Sequence, residues 1–208
     1  MCADALLDTE GIPSVPAAGQ GLIWVDTYGA LCIMGSDGVI TARQDNASTA
    51  SQGAGFAADT YVTGSSIRIP SFSVRVGSML RWVISVSKTA AGVATPIYQV
   101  RIGPNQTTAD TSRLTLTGSA QTAGVDIAII HIFLTVRSVS ATGVIQGTVG
   151  MFHNTGGAGF AATDAGAAEG TSAGFDNTAL GGQYIGLSIN GGASAAWTIT
   201  QCRVEAKW

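Results

Sequence analysis

The chain has 208 residues, of which only 11% are charged: ten Lys or Arg against thirteen Asp or Glu, a net charge of −3, with two histidines and 28 glycines. An ordinary globular domain carries about 25% charge. The scarcity of basic residues, which stand singly along the chain, argues against a nucleic-acid binder, and the shortage of acids, bases and nucleophiles points to a packing part rather than a catalyst.

No 18-residue apolar span occurs, so no membrane-spanning helix is expected, and the start lacks the basic-then-apolar pattern of an export leader. Cys2, Cys32 and Cys202 are odd in number and far apart, which suits reduced core fillers better than a disulfide framework or a zinc site.

In chain order, residues 1–20 contain Pro13 and Pro16, lack periodicity and read as an extended N-terminal arm. Within it Ile12, Pro13, Val15 and Pro16 are candidate contacts to a neighbour. Residues 21–58 read as a small hairpin region, with strands at 22–24, 30–34 and 39–42, followed by a polar, glycine-spotted linker or surface loop from Gln44 to Ala58.

The β pattern strengthens over residues 59–208. Short strands are expected at 61–62, 66–69 and 72–74, and then clean alternation marks 79–87, where Leu80, Trp82, Ile84 and Val86 share one face, and 97–102. Residues 113–117 form a further strand. Residues 126–138 are the best candidate for a central one, because Ile127, Ile129 and Phe133 oppose Ala128, Ile130, Ile132 and Leu134, so that both faces read as covered near its start. A hairpin partner follows at 144–152. Residues 156–180 read as a long loop held by Phe160 and Phe175, and strands at 184–189 and 195–205 close the chain around Asn190-Gly191-Gly192. No helix is expected. About eight strands after residue 59 fit an all-β antiparallel β-sandwich, jelly-roll-like, carrying an extended N-terminal arm.

Chemistry is sparse. His131 lies in an apolar strand and His153 opens a loop, neither with a metal-ligand set, and no nucleophile elbow or phosphate-binding loop occurs. Asp110, Asp126, Asp164, Glu169 and Asp176 are the candidate carboxylates for paired acid-base work, and nearly all sit in turns or loops where Asp caps backbone amides. No catalytic, cofactor or metal residue is assigned. Gly-Ala-Gly-Phe-Ala-Ala occurs twice, at 53–58 and 157–162, which makes Phe56 and Phe160, with Phe175, candidates for pinning loops onto a neighbouring surface. Asp59, Arg75, Arg81, Arg101, Asp110 and Arg113 are candidate ion-pair members. Trp24, Tyr28, Tyr61, Tyr98 and Trp208 are candidates for a sugar-stacking platform.

The stretch Arg81-Trp82-Val83-Ile84-Ser85-Val86-Ser87-Lys88-Thr89-Ala90-Ala91-Gly92, with Thr107-Thr108-Ala109-Asp110-Thr111-Ser112-Arg113, resembles a module of structural proteins of tailed bacteriophages, cyanophages included, over roughly residues 56–152. The resemblance implies a non-enzymatic β-sandwich virion protein, either a capsid decoration or cement protein or a head-fibre component. It would be assembled in the host cytoplasm as a homo-oligomer, a trimer by preference, on the major capsid protein or on tail or portal components, without nucleic acid or membrane. The alternative is a receptor-binding or carbohydrate-binding tail-fibre or tailspike module.

Overall fold

The computed structural model describes residues 12–153, 159–160 and 168–208. The fold is all-β, with two antiparallel sheets. Fourteen strands are present among the described residues: β1 Gly21–Val25, β2 Leu31–Gly35, β3 Ile40–Ser48, β4 Gln52–Gly55, β5 Thr60–Tyr61, β6 Ile67–Arg68, β7 Met79–Lys88, β8 Ile97–Gly103, β9 Thr111–Thr117, β10 Asp126–Ser138, β11 Val144–His153, β12 Ala168–Thr171, β13 Tyr184–Asn190 and β14 Trp197–Lys207. The larger sheet runs β1-β2-β3-β14-β7-β10-β11-β12, with β4 also on β14; the smaller runs β5-β13-β8-β9, with β6 also on β13.

Alternation explains the core. Leu80, Trp82, Ile84 and Val86 of β7, Ile130, Ile132 and Leu134 of β10, and Cys202 and Val204 of β14 all point inward and are buried, against Val100, Ile102, Leu187 and Ile189 of the smaller sheet. The layers approach closely where glycine allows it: a Cβ on Gly147 would come within 2.5 Å of Leu114 Cδ2, and one on Gly170 within 2.9 Å of Leu116 Cδ2. Buried polar groups are tied into the frame, as where Trp82 Nε1 donates to Ser65 O at 2.7 Å and Trp197 Nε1 to Gln121 Oε1 at 2.9 Å.

Several expectations change. Residues 21–58 are not set beside the sandwich: β3 pairs with β14 from Arg43↔Lys207 to Ser48↔Cys202, so the hairpin strands extend the larger sheet, and the expected linker 44–58 holds the end of β3 and all of β4. Residues 72–74 are not a strand; Ser73 N donates to Pro70 O at 2.9 Å, closing a turn, and Ser73 has φ 65°. The expected loop 156–180 carries β12, an edge strand on β11. Both faces of β10 are not covered. Among the described residues no layer lies over its second face, and Ile127, Ile129 and Phe133 are 59%, 44% and 47% exposed.

Candidate functional site

That uncovered face defines the site. Cross-strand register places its outward side chains in rows across β14, β7, β10 and β11: Glu205-Arg81-Phe133-Thr148, then Arg203-Val83-His131-Gly150, then Gln201-Ser85-Ile129-Phe152. The β10–β11 half is an apolar strip in which Phe152 is 65% exposed. His131 sits within it, its ring edge-on to Phe152 with centroids 5.4 Å apart and tilted to Phe133 at 6.2 Å. A groove of about 490 Å³ runs past Ile127, Ile129 and Phe152.

The other half is cationic. A basin of about 610 Å³ opens over β3, β14, β7 and β10, bordered by Arg43, Arg81, Arg203 and Lys207 with Asp45 and Glu205, above Met79 and Phe133. Arg203 pairs with Glu205 at 2.7 Å, and the Arg81 guanidinium lies 5.9 Å from the Phe133 ring centre. The sequence hides this basin, because Arg43, Arg81, Arg203 and Lys207 are gathered from three separate strands; the C-terminal third, with no cation between Arg137 and Arg203, nevertheless contributes half of its positive charge.

The other candidate residues are dispersed. Ile12 and Val15 are 54% and 58% exposed, Pro13 and Pro16 half-buried, so this part of the arm offers free apolar surface. Phe56, Phe160 and Phe175 do not: they are 0%, 1% and 7% exposed, inside the chain's own core. Phe160 meets Trp197 edge-on at 5.2 Å, while Gly55, next to Phe56, pairs with the same tryptophan, so Phe56 and Phe160 lie in one region of the core. Phe175 lies under the Arg113 guanidinium at 4.9 Å.

Of the charged candidates, Arg101 and Asp59 meet as an ion pair at 2.5 Å. Arg75 instead donates to Ile40 O at 3.1 Å and stacks on Phe72 at 4.5 Å. Asp110 caps a loop, accepting from the backbone amides of Asn105 and Gln106 at 2.9 and 2.7 Å. Trp24, Tyr98 and Trp208 are buried at 3%, 1% and 4% exposure and form no sugar platform; Tyr28 and Tyr61 are half-buried, Tyr28 beneath Arg68 at 4.2 Å.

Among the described residues the carboxylates do not pair across a cleft. Asp126 is fully buried, accepting from Gly159 N and Phe160 N at 3.0 and 3.2 Å, with His153 Nδ1 3.3 Å away; Asp176 caps Thr178 on the surface, and those bonds hold its carboxyl below the ordinary range. Asp164 and Cys2 lie outside the described residues. Cys32 and Cys202 are free and buried, and burial pushes their thiols up to about 11 and about 12, away from nucleophilic use. No group of three metal-ligating side chains forms among the described residues.

One residue the sequence reading passed over is Lys88. Its side chain turns inward at the end of β7, 2% exposed, and its ammonium donates to Gly92 O, Thr122 O and Gly124 O at 3.1, 2.7 and 3.3 Å, one carbonyl for each proton. Burial lowers its pKa, opposed by the nearby Asp126 charge. This is a structural clamp.

No protein-family model matches this chain, and no curated protein matches it.

Proposed function

We propose that this chain is a non-enzymatic structural protein of a tailed-phage virion, a capsid decoration or cement protein or head-fibre component, that packs as a trimer through the outer face of its larger sheet. The observation that carries the reading is the uncovered β10–β11 strip of Ile127, Ile129, Phe133 and Phe152. Contiguous exposed apolar surface of this kind is a hallmark of protein–protein contact. A second apolar group, Ile23, Leu31 and Ile33, exposed at 56%, 54% and 48%, lies on the β1–β2 hairpin. Two distinct patches on one chain can meet head to tail, which is how a closed cyclic ring is built.

The fold suits the role. The chain passes between the sheets as β3-β4, β5-β6, β7, β8-β9, β10–β12, β13 and β14, and we read this alternation as a jelly-roll-like sandwich, an architecture shared by viral capsid proteins and lectins. The exposed Ile12 and Val15 give the arm apolar anchors for a capsid, tail or portal partner. Localisation to the virion, after assembly in the host cytoplasm, belongs to the same reading.

Sedimentation equilibrium of the purified chain tests it. A trimer at micromolar concentration, converted to monomer by Ile129→Asp with Phe152→Asp at unchanged melting temperature, is the expected result; a wild-type chain that stays monomeric overturns the reading. Immunogold electron microscopy of particles then tests for label on the capsid surface.

A further inference from the structure

A titratable side chain stands in the middle of the apolar strip. His131 is half-buried between Ile129 and Phe133 on the outer face of β10, with its ring edge-on to Phe152 at 5.4 Å and tilted to Phe133 at 6.2 Å. Among the described residues its imidazole makes ring contacts only, with no hydrogen bond and no ion pair. A neutral imidazole tolerates an apolar cover. An imidazolium does not, unless a counter-charge comes with the cover.

The neighbouring strands supply no such charge. In the row of His131, β7 contributes Val83, β14 contributes Arg203 and β11 contributes Gly150, while the next row brings Arg81 and Glu205 and the row on the other side Ser85 and Gln201. Glu205 is already taken by Arg203 at 2.7 Å. Asp45, on β3, stands three strands from β10, about 14 Å away at ~4.8 Å per strand. The other histidine, His153, sets its Nδ1 3.3 Å from the buried Asp126 and so keeps a counter-charge of its own. The β1–β2 patch of Ile23, Leu31 and Ile33, read above as the counterpart surface, brings none either: Leu31 pairs with Arg43, and Asp37 caps its own turn, accepting from Val39 N at 2.9 Å.

We propose that His131 makes assembly through this face pH-dependent: the subunits join with His131 neutral, and its protonation releases them. The inference rests on the reading of the strip as the contact between copies. Its sign follows from linkage. Covering His131 disfavours the charged form, so assembly is complete above the pH at which the free imidazole titrates and is lost as pH falls through it. An ordinary imidazole titrates near 6.5, so going from about pH 7.5 to about pH 5.5 cuts the neutral fraction about tenfold per chain and the trimerisation constant about a thousandfold, which raises the concentration for half-assembly about thirtyfold.

Sedimentation equilibrium of the full chain at these two pH values and one ionic strength is the test, beside His131→Gln and His131→Phe, neither of which titrates and the second of which keeps a ring against Phe152. The expected result is the thirtyfold change for the wild-type chain and a change below about threefold for either variant, with unaltered far-UV circular dichroism. A second measurement needs no variant: diluting the wild-type trimer to monomer at about pH 6 in weak buffer should take up about 0.8 proton per chain, read by an indicator dye. A trimer equally stable at both pH values overturns the proposal and leaves the contact standing. Dissociation without proton uptake, or an assembling variant that keeps the full pH response, overturns it too. A chain that is monomeric at every concentration at the higher pH overturns the contact itself, and the proposal with it.

Discussion

Replacing Arg101 with Met tests whether the Arg101 cluster holds the smaller sheet together. The guanidinium has five N–H groups and five acceptors: Nε to Ser188 Oγ at 2.7 Å, Nη1 to Thr108 O and Asp110 O at 2.9 and 2.6 Å, and Nη2 to Asp59 Oδ2 and Gln99 Oε1, both at 2.5 Å. It thereby ties β8, β13 and the β8–β9 loop to the segment entering β5. Met fills similar volume but leaves the Asp59 carboxylate and two carbonyls without these donors. Removing one member of a buried ion pair costs about 3–5 kcal/mol. The side chains of Arg101 and Asp59 are 10% and 27% exposed, so water recovers part of this on the Asp59 side, and about 3 kcal/mol is expected. At about 2–4 °C per kcal/mol for a chain this long, the melting temperature should fall by about 6–12 °C. Asp59→Asn, which keeps an acceptor oxygen, should cost only about 1 kcal/mol, while Arg101→Lys should not rescue, since an ammonium cannot span five divergent acceptors. Urea unfolding followed by tryptophan fluorescence measures all three. A loss below about 1 kcal/mol for Arg101→Met would refute the argument, because that is the worth of an ordinary surface pair.

Glycine substitutions separate strained from free positions. Gly64 has φ +80°, and a Cβ there would lie 2.5 Å from Ser48 Cβ, so Gly64→Ala should cost about 2–3 kcal/mol in urea titration, whereas Gly53→Ala, with nothing within 4 Å, should stay within about 0.5 kcal/mol of wild type. Lys88→Met should destabilise by about 2 kcal/mol through three orphaned carbonyls and lower hydrogen-exchange protection first at Thr122, whose amide donates to Gly159 O at 3.0 Å. Alkaline pH should also unfold the chain. Burial raises the thiols of Cys32 and Cys202 from 9.0 to about 11 and about 12 and raises the Tyr61 and Tyr98 hydroxyls, so the folded chain holds protons that the unfolded chain releases. Stability from these groups is complete below about pH 9 and is lost as pH climbs through the folded values, with Lys88, whose pKa is lowered, working in the opposite direction. Urea midpoints that fall above pH 9, and fall less steeply in Cys32→Ala/Cys202→Ala, are the expected result.

Strands that bury one face were legible in the sequence, since alternation is written into β7, β8, β10 and β14. Strands held by a neighbour's backbone were not. The distal end of β3 reads Gln-Asp-Asn-Ala-Ser, β4 reads Gln-Gly-Ala-Gly and β12 reads Ala-Glu-Gly-Thr; they are strands because β14 and β11 offer them hydrogen bonds, and nothing in their side chains announces it. Phe56, Phe160 and Phe175 misled for a related reason. A lone aromatic among glycines and alanines looks like an exposed anchor, yet all three rings are buried in the core.

The candidate site was the least legible part, because a sheet face is a two-dimensional object read from a one-dimensional list. The apolar residues of β10's second face read as buried, yet among the described residues no layer covers Ile127, Ile129 or Phe133. Cations that stand singly in sequence share a basin once β3, β14 and β7 are in register, since Arg43 pairs with Lys207 across one ladder and Glu205 with Arg81 across the next. The shortage of charge sharpens this arrangement. Arg101 and Lys88 are consumed by internal acceptors, and Arg75 and Arg113 lie against phenylalanine rings, so a large share of the remaining positive charge is spent on one face, beside the exposed apolar residues of β10. An apolar strip flanked by a charged basin supplies both ingredients of a specific contact, burial for affinity and charge for register.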